Sequence, residues 1–146
     1  MATTRREFLR LGMASGLTAA AALSGGRLLA QEAMDDGYQH PQDPAHLNAL
    51  EMKHWPKLAV VGQATPGQPF DLSIQIGQEI HPMTPEHHIE WVEVWAGGKR
   101  LERMDFNEPT WVKPVLTVQL VANAPTEFTV RLRCNLHGLW ENSIRV

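Results

Sequence analysis

"EFTVRLRC", residues 127–134, alternates apolar and polar side chains with a period of two. This period is typical of a β-strand that buries one surface and exposes the other to solvent. The apolar set consists of Phe128, Val130, Leu132 and Cys134. The segment therefore predicts a strand whose last inward-facing side chain is a cysteine.

Similar segments lie on the N-terminal side of this strand. "FDLSIQI", residues 70–76, alternates in the same way. "HIEWVEVWA", residues 88–96, is rich in β-branched and aromatic residues, which favour strands. Gly97 and Gly98 then indicate a hairpin turn into "RLERMDF", residues 100–106.

Three further segments complete the pattern. "VLTVQLVA", residues 115–122, is more uniformly apolar and favours a central strand. "KLAVVGQ", residues 57–63, and "NSIRV", residues 142–146, bring the total to about seven strands, with no convincing helix among them. The predicted fold class is all-β, a seven-stranded antiparallel Ig-like β-sandwich.

Residues 1–30 do not belong to this domain. Arg5 and Arg6 precede an apolar run over residues 11–23, and Ala30 offers a small residue for cleavage. The segment resembles a twin-arginine signal peptide, which exports chains already folded and commonly carrying a cofactor. The resemblance implies a periplasmic location. The apolar run is shorter than the ~20 residues that span a bilayer, so we expect no stable membrane span.

Residues 31–50 are polar and contain two prolines, so they predict an extended N-terminal arm or linker before a domain of residues 51–146. Residues 1–30 hold four of the chain's 13 basic and one of its 16 acidic residues, so the remainder carries a net charge of −6. A nucleic-acid-binding protein normally has the opposite balance, which excludes that class.

Cys134 is the only cysteine, so it has no partner for an intramolecular disulfide. A buried free thiol is common and inert, and this is the favoured interpretation of the cysteine alone. The histidines favour a different interpretation. One lies three residues after the cysteine, one lies in "KHWPK", and three lie in "HPMTPEHHIEW". Imidazole and thiolate suit iron, copper and zinc, so the pattern predicts a metal site.

At these residues the chain resembles a known family. "KHWP", "GQEIHPMTPEHHIEWVEVW" and "CNLHGLWENS" resemble the iron domain of superoxide reductase, the neelaredoxin and desulfoferrodoxin family, from Lys53 to the C-terminus. The resemblance implies a mononuclear iron, Fe²⁺ or Fe³⁺, with four imidazole ligands and one axial cysteinate. The implied ligands are His54, His81, His87, His137 and Cys134.

The resemblance also implies the reaction, which is the one-electron reduction of superoxide to hydrogen peroxide. Lys53 would act in catalysis by attracting the anion and helping to deliver protons. His88 falls where the family often has an aromatic residue, which indicates packing, and His40 and His46 match no motif. The expected partners are superoxide, a small redox protein such as a rubredoxin or cytochrome as electron donor, and further copies of the chain in a homo-oligomer.

Two departures from the family pattern stand out. Met52 occupies the position of the glutamate in the family's E-K-H-x-P element, which leaves open whether Glu51 replaces that carboxylate. The chain also lacks the four cysteines of the small second centre in desulfoferrodoxins, which indicates the one-iron form.

Two other interpretations compete with this one. A cupredoxin-like periplasmic electron carrier would use two histidines, one cysteine and a weak axial methionine. No methionine follows His137, however, and two histidines would be left without a role. The other interpretation is an exported, non-catalytic Ig-like binding module in which the histidines are incidental.

Overall fold

The computed structural model of the chain describes residues 37–146. The predicted signal peptide and the first six residues of the predicted arm lie outside the described residues. Between residues 37 and 146 there are seven strands. They are β1 (Pro56–Val61), β2 (Pro69–Ile76), β3 (Ile89–Ala96), β4 (Lys99–Asp105), β5 (Val115–Val121), β6 (Glu127–Cys134) and β7 (Gly138–Arg145).

The strands form two sheets, one with the order β1-β2-β5 and the other with the order β4-β3-β6-β7. Every pairing within them is antiparallel. A two-sheet sandwich of three and four strands is the arrangement of an Ig-like domain. The predicted all-β fold class is confirmed.

The core lies between the inward faces of β2 and β6. The alternating side chains of both strands are buried, and Phe70 contacts Phe128 edge to face at a centroid distance of 5.7 Å. Burial of each large apolar side chain stabilises the fold by roughly 1.5–3 kcal/mol relative to its exposure. Cys134 is 0% exposed, so the predicted inward direction of the thiol is confirmed.

Two strands differ from the sequence-based expectation. The predicted central position of β5 is wrong, because β5 pairs with β2 alone and forms an edge of its sheet. Its uniform apolarity arises because Val115 and Val121 also point outward, where they are 46% and 51% exposed. β7 begins at Gly138, four residues earlier than predicted.

A short helix, α1 (Ala49–His54), was not predicted. It begins with a capping box, in which Asn48 accepts from the backbone N–H of Glu51 and the Glu51 carboxylate accepts from the backbone N–H of Asn48. It ends at His54, because the next residue, Trp55, precedes Pro56 and is extended, and helical conformation is disfavoured before a proline. Six residues are too few to show a helical period.

Strand pairing brings several chain segments to one end of the sandwich. Pro56 at the start of β1 lies opposite Ile76 at the end of β2. Ile89 at the start of β3 lies opposite Cys134 at the end of β6, and Cys134 lies opposite Gly138 at the start of β7. The residues that precede β1 and β3, and those that follow β2 and β6, therefore meet at this end.

No helix within residues 37–146 has the length and apolar character needed to cross a membrane.

Candidate metal centre

The hairpin between β6 and β7 brings the cysteine and one histidine together. Its loop has three residues, Asn135, Leu136 and His137, between the paired residues Cys134 and Gly138. Gly138 has a φ of 78°, the left-handed conformation that commonly ends such a loop. The loop folds the imidazole back over the thiol, and Nδ1 of His137 lies 3.6 Å from Sγ of Cys134.

His54 reaches the same place from the last residue of α1. Its ring is 1% exposed and stacks on Trp140 of β7 at a centroid distance of 5.3 Å. Its Nδ1 lies 2.7 Å from the carbonyl oxygen of Leu50. A carbonyl accepts only, so Nδ1 carries the proton and Nε2 is left free to bind a metal.

His81 lies in the loop that follows β2. Its backbone N–H donates to the carbonyl of Ile76, and its Nδ1 donates to the carbonyl of Pro82 over 2.5 Å. With Nδ1 protonated, Nε2 is available to bind a metal, and this atom lies 3.1 Å from Nε2 of His54. His81 is 2% exposed.

Gly77 allows this loop to pack against α1. Its φ is 81°, and a Cβ at this position would lie only 2.5 Å from the backbone oxygen of Lys53. The backbone N–H of Glu79 donates to the carbonyl of Met52, which fastens the loop to the helix. The elements that carry His81 and His54 are thus held together by backbone contacts.

His87 precedes β3 and completes the group of histidines. A tight turn fixes it, since Thr84 N–H donates to the His87 carbonyl and the His87 N–H donates to the Thr84 hydroxyl. Nε2 of His87 lies 3.2 Å from Nδ1 of His137. The Nδ1 of the adjacent His88 is engaged with the Thr84 carbonyl instead, at 3.0 Å.

The four predicted imidazoles and the predicted thiol converge at this end of the sandwich. The ligand atoms of His54, His87, Cys134 and His137 all lie within 4.8 Å of one another. His81 joins them through its contact with His54 and an edge-to-face contact with His87 at 4.5 Å between ring centroids. Their assignment as metal ligands stays a prediction.

Burial favours the neutral forms of His54, His81 and His87, and neutral imidazole is the form that binds metals. It lowers the pKa of His54 to about 4 and that of His81 to about 3. The pKa of His87 is also lowered, by burial and then by the neighbouring His137 and Lys53.

The thiol is in a different state. Burial raises the pKa of Cys134, while the backbone N–H groups of Leu136 and His137 donate to its sulfur and oppose that rise. The free thiol is therefore protonated at neutral pH, and a bound cation is needed to ionise it. Once ionised, the sulfur has two backbone donors already directed at it.

This donor set fits a late first-row metal such as iron. Four neutral imidazoles and one thiolate are ligands of intermediate to soft character, whereas Mg²⁺ and Ca²⁺ prefer carboxylate and carbonyl oxygens. In His54 and His81 the protonated Nδ1 also donates to a backbone carbonyl. Metal-bound histidines almost always donate in this way from the ring nitrogen that does not bind the metal.

Lys53 is exposed next to this cluster, and its positive charge contributes to the lowered pKa values of His54 and His87. The catalytic role of Lys53 stays a prediction. Glu51 is 7% exposed, and its carboxylate accepts from the backbone N–H groups of Asn48 and Gln42 at 2.8 and 3.4 Å. This engagement argues against Glu51 replacing the family glutamate at position 52.

The two remaining histidines are engaged outside the cluster. Nε2 of His40 lies 3.3 Å from the Glu141 carboxylate, and Nδ1 of His46 lies 2.7 Å from the Asp43 carboxylate. Both imidazoles are mostly exposed. They take no part in the convergence of donors.

Sequence reasoning did not assign a role to Asn135, which joins the two loops. Its side-chain oxygen accepts from the His88 N–H at 2.9 Å, and its side-chain nitrogen donates to the Glu86 carbonyl at 2.9 Å. These contacts hold the backbone on both sides of His87. The available signal was the asparagine directly after Cys134 in the cysteine–histidine motif.

Comparison with known proteins agrees with this geometry. The desulfoferrodoxin family profile matches residues 46–143. A superoxide reductase from Pyrococcus horikoshii is 31% identical over 64% of this chain and 87% of its own length. The neelaredoxin of Megalodesulfovibrio gigas is 30% identical over 62% of this chain and 84% of its own length.

A solved structure, the superoxide reductase (neelaredoxin) from Ignicoccus hospitalis, matches with a TM-score of 0.55 and 30% identity. The match covers 64% of this chain and 79% of that one. Sequence profile, relatives and fold all agree, and the chain belongs to the desulfoferrodoxin family.

Proposed function

We propose that this chain is a superoxide reductase with one mononuclear iron held by His54, His81, His87, His137 and Cys134. The convergence of four imidazoles and one buried thiol at one end of the sandwich carries this proposal. Relatives that bear the name superoxide reductase support it. A cupredoxin-type centre would leave two of the converging imidazoles without a function.

The reaction consumes one electron and two protons for each superoxide and releases hydrogen peroxide. Iron held by these residues would supply the electron. The protein holds His54 and His81 neutral by burial and fixes their orientation through carbonyl acceptors. The ionised Cys134 thiolate would contribute electron density to the metal, a means by which proteins tune such centres.

In this proposal Lys53 attracts the superoxide anion and does not bind the metal. Its exposed ammonium group adds positive charge beside the cluster in a chain whose net charge is −3. A local positive charge attracts the superoxide anion and raises the encounter rate. The same ammonium group can orient a water molecule that delivers protons to the product.

Mixing the reduced, iron-loaded protein with superoxide in a stopped-flow spectrometer tests the reaction. We expect one hydrogen peroxide per superoxide and no dioxygen. Dioxygen released together with peroxide would indicate dismutation, and an unchanged superoxide decay would refute the proposal. Metal analysis and a visible spectrum separate the iron centre from a copper centre and from a metal-free binding module.

We also propose that residues 1–30 direct export by the twin-arginine pathway and that the mature protein is periplasmic. Arg5 and Arg6, followed by the apolar run, support this. Replacing both arginines by lysine should leave the full-length chain in the cytoplasm, as measured by fractionation and mass spectrometry. Mature protein in the periplasm despite the replacement would contradict it.

A small redox protein, such as a rubredoxin or a cytochrome, is the proposed electron donor, and the proposed assembly is a homo-oligomer. Reduction of the ferric protein by each candidate donor can be followed at the visible absorption bands. Light scattering measures the mass of the assembly, and a monomer mass would contradict the proposed oligomer.

A further inference from the structure

The residues just before the family-matched region lie along the edge of the four-stranded sheet. We call residues 38–42 the arm segment. The backbone N–H of Gln39 donates to the Leu139 carbonyl at 2.9 Å, and the Gln39 carbonyl accepts from the Glu141 N–H at 3.4 Å. Gln39 thereby forms a parallel bridge with Trp140 and extends the sheet beyond β7.

The side chain of Gln39 reaches the hairpin that carries two predicted ligands. Its Nε2 donates to the carbonyl oxygen of His137 over 2.6 Å. The indole N–H of Trp140 donates to the same oxygen over 3.2 Å. A Cβ on Gly138 would lie 3.4 Å from the Gln39 amide nitrogen, so the side chain lies close against the turn.

These contacts fix the backbone on both sides of His137. The peptide before it directs its N–H toward the Cys134 sulfur, and the peptide after it directs its carbonyl toward Gln39 and Trp140. The orientation of these two peptide planes sets φ and ψ of His137. These two angles set the direction of the Cα–Cβ bond that carries the imidazole toward the sulfur.

We propose that Gln39 is a positioning residue of the metal centre, which acts by holding the His137 carbonyl and so the placement of the His137 imidazole. The inference rests on the proposed metal centre. It goes beyond the family assignment, because the family match begins at residue 46 and Gln39 precedes it.

Other contacts keep the arm segment in place when this side chain is changed. The Arg131 guanidinium lies 4.6 Å from the centre of the Tyr38 ring, and His40 pairs with Glu141 at 3.3 Å. The backbone N–H of Gln42 donates to the Glu51 carboxylate, although over 3.4 Å. Removing the Gln39 amide therefore tests the contact with His137 and not the placement of the arm segment.

The test uses the full chain with Co²⁺ as a spectroscopic probe and Fe²⁺ under anaerobic conditions. Gln39→Ala removes the donor, and Gln39→Glu keeps the size but replaces the donor by an acceptor. Gln42→Ala is the matched control in the same segment, because Gln42 makes its contact with Glu51 through the backbone. Gln68→Glu, at an exposed turn position, controls for the added charge.

Both Gln39 variants should bind Co²⁺ about 10-fold more weakly in competition with a chelator, as is typical when a partner of a metal ligand is lost. Their thiolate-to-metal charge-transfer band should shift in wavelength. The two control variants should stay within about twofold of the wild-type affinity, with unchanged bands.

Wild-type affinity and band positions in both Gln39 variants would overturn the inference. A lower melting temperature of the metal-free variants, without a change in affinity or spectrum, would assign Gln39 a structural role only and would also overturn it. If the wild-type chain bound neither Co²⁺ nor Fe²⁺, the proposed function itself would fail, which is a separate and recognisable result.

Discussion

Cys134 belongs both to the hydrophobic core and to the candidate metal centre. It is the last inward residue of β6 and is fully buried, yet its sulfur faces the His137 ring and two backbone N–H groups. Burial raises its pKa, so metal binding must displace a proton from the sulfur. Burial thus shields the single thiol from solvent, and its protonation keeps it unreactive until a metal binds.

Replacing Cys134 by serine should abolish reductase activity while the sandwich stays folded. The change removes the thiolate but only one polarizable atom from a core formed mainly by other side chains. Activity, the visible charge-transfer band and thermal unfolding by circular dichroism measure the three effects. A variant that kept its band and full activity would refute the ligand assignment.

The neighbouring pair His87 and His88 offers a matched test of the ligand set. Nε2 of His87 faces His137, whereas Nδ1 of His88 is engaged with the Thr84 carbonyl. His87→Ala should lower iron occupancy by about 10-fold or more at limiting metal, and His88→Ala should leave it nearly unchanged. Metal analysis after dialysis measures both.

The reverse result, iron lost in His88→Ala and kept in His87→Ala, would show that the assignment in this loop is wrong by one residue. His46→Ala is a second control, because its imidazole is exposed and pairs with Asp43.

At the residue scale, the histidines and the single cysteine allowed a site of imidazole and thiolate donors to be predicted, and the resemblance to the superoxide reductase family implied which five side chains form it. The roles of Asn135 and Gln39 were not predictable in the same way. Both act through hydrogen bonds to backbone groups that are 47 to 98 residues away in the chain. Contacts of that kind depend on how loops approach one another, which composition and period do not reveal.

At the element scale, the loop between β2 and β3 depends on one glycine. Gly77 and Gly62 share a φ of 81°, but only Gly77 has backbone atoms where a Cβ would stand. Alanine at Gly62 would therefore cost only the strain of the left-handed conformation, whereas alanine at Gly77 would also cause a steric clash.

Gly77→Ala should lower the free energy of unfolding by several kcal/mol and weaken metal binding, because α1 and the His81 loop must move apart. Gly62→Ala should cost only about 1 kcal/mol, the strain of a positive φ, and should leave metal affinity unchanged. Urea unfolding and chelator competition measure both quantities. Equal losses in the two variants would contradict the proposed close packing.

Strands were predictable where one face is buried and the other is wet, as in β2 and β6. The central position predicted for β5 was wrong because this edge strand exposes two valines, which gives it the apolar composition of a central strand. Helix α1 lacked a readable period, although Asn48 followed by Glu51 is a start signal of the capping-box type. Local hydrogen bonds, not amphipathic burial, define that helix.

At the scale of the whole molecule, charge placement matters for a small anionic substrate. Lys53→Ala should slow the reaction with superoxide several-fold, up to about tenfold, and flatten its dependence on ionic strength, with iron content unchanged. Stopped-flow rates at increasing salt measure this. Lys99→Ala is the control, since Lys99 begins β4 at the hairpin with β3, away from Ile89 and the metal end.

If the rate of Lys53→Ala depended on salt as the wild-type rate does, or if Lys99→Ala slowed the reaction equally, Lys53 would not have the proposed steering role.

Acid should destabilise the metal-free protein through its buried histidines. The pKa values of His54 and His81 are about 4 and about 3 in the folded chain, against about 6.5 when unfolded. Below pH ~6.5 the unfolded chain binds protons that the folded chain does not, so stability is complete above that pH and falls toward pH ~3. Melting temperatures between pH 7.5 and 4.5 measure the decline.

The double variant His54→Gln, His81→Gln should lose less stability over the same interval, because it lacks both titrating groups. A decline as steep as that of the wild type would show that other groups cause it.

The ligand set begins at His54, before the first strand, and ends at His137, before the last one. A metal bound by all of its members would therefore link the two ends of the domain as a cross-link across more than 80 residues. Such long-range contacts form late in folding, because the entropy of closing the intervening chain must be overcome first. The sandwich must then assemble before all the ligands can meet. Metal binding should therefore lower the unfolding rate more than it raises the folding rate.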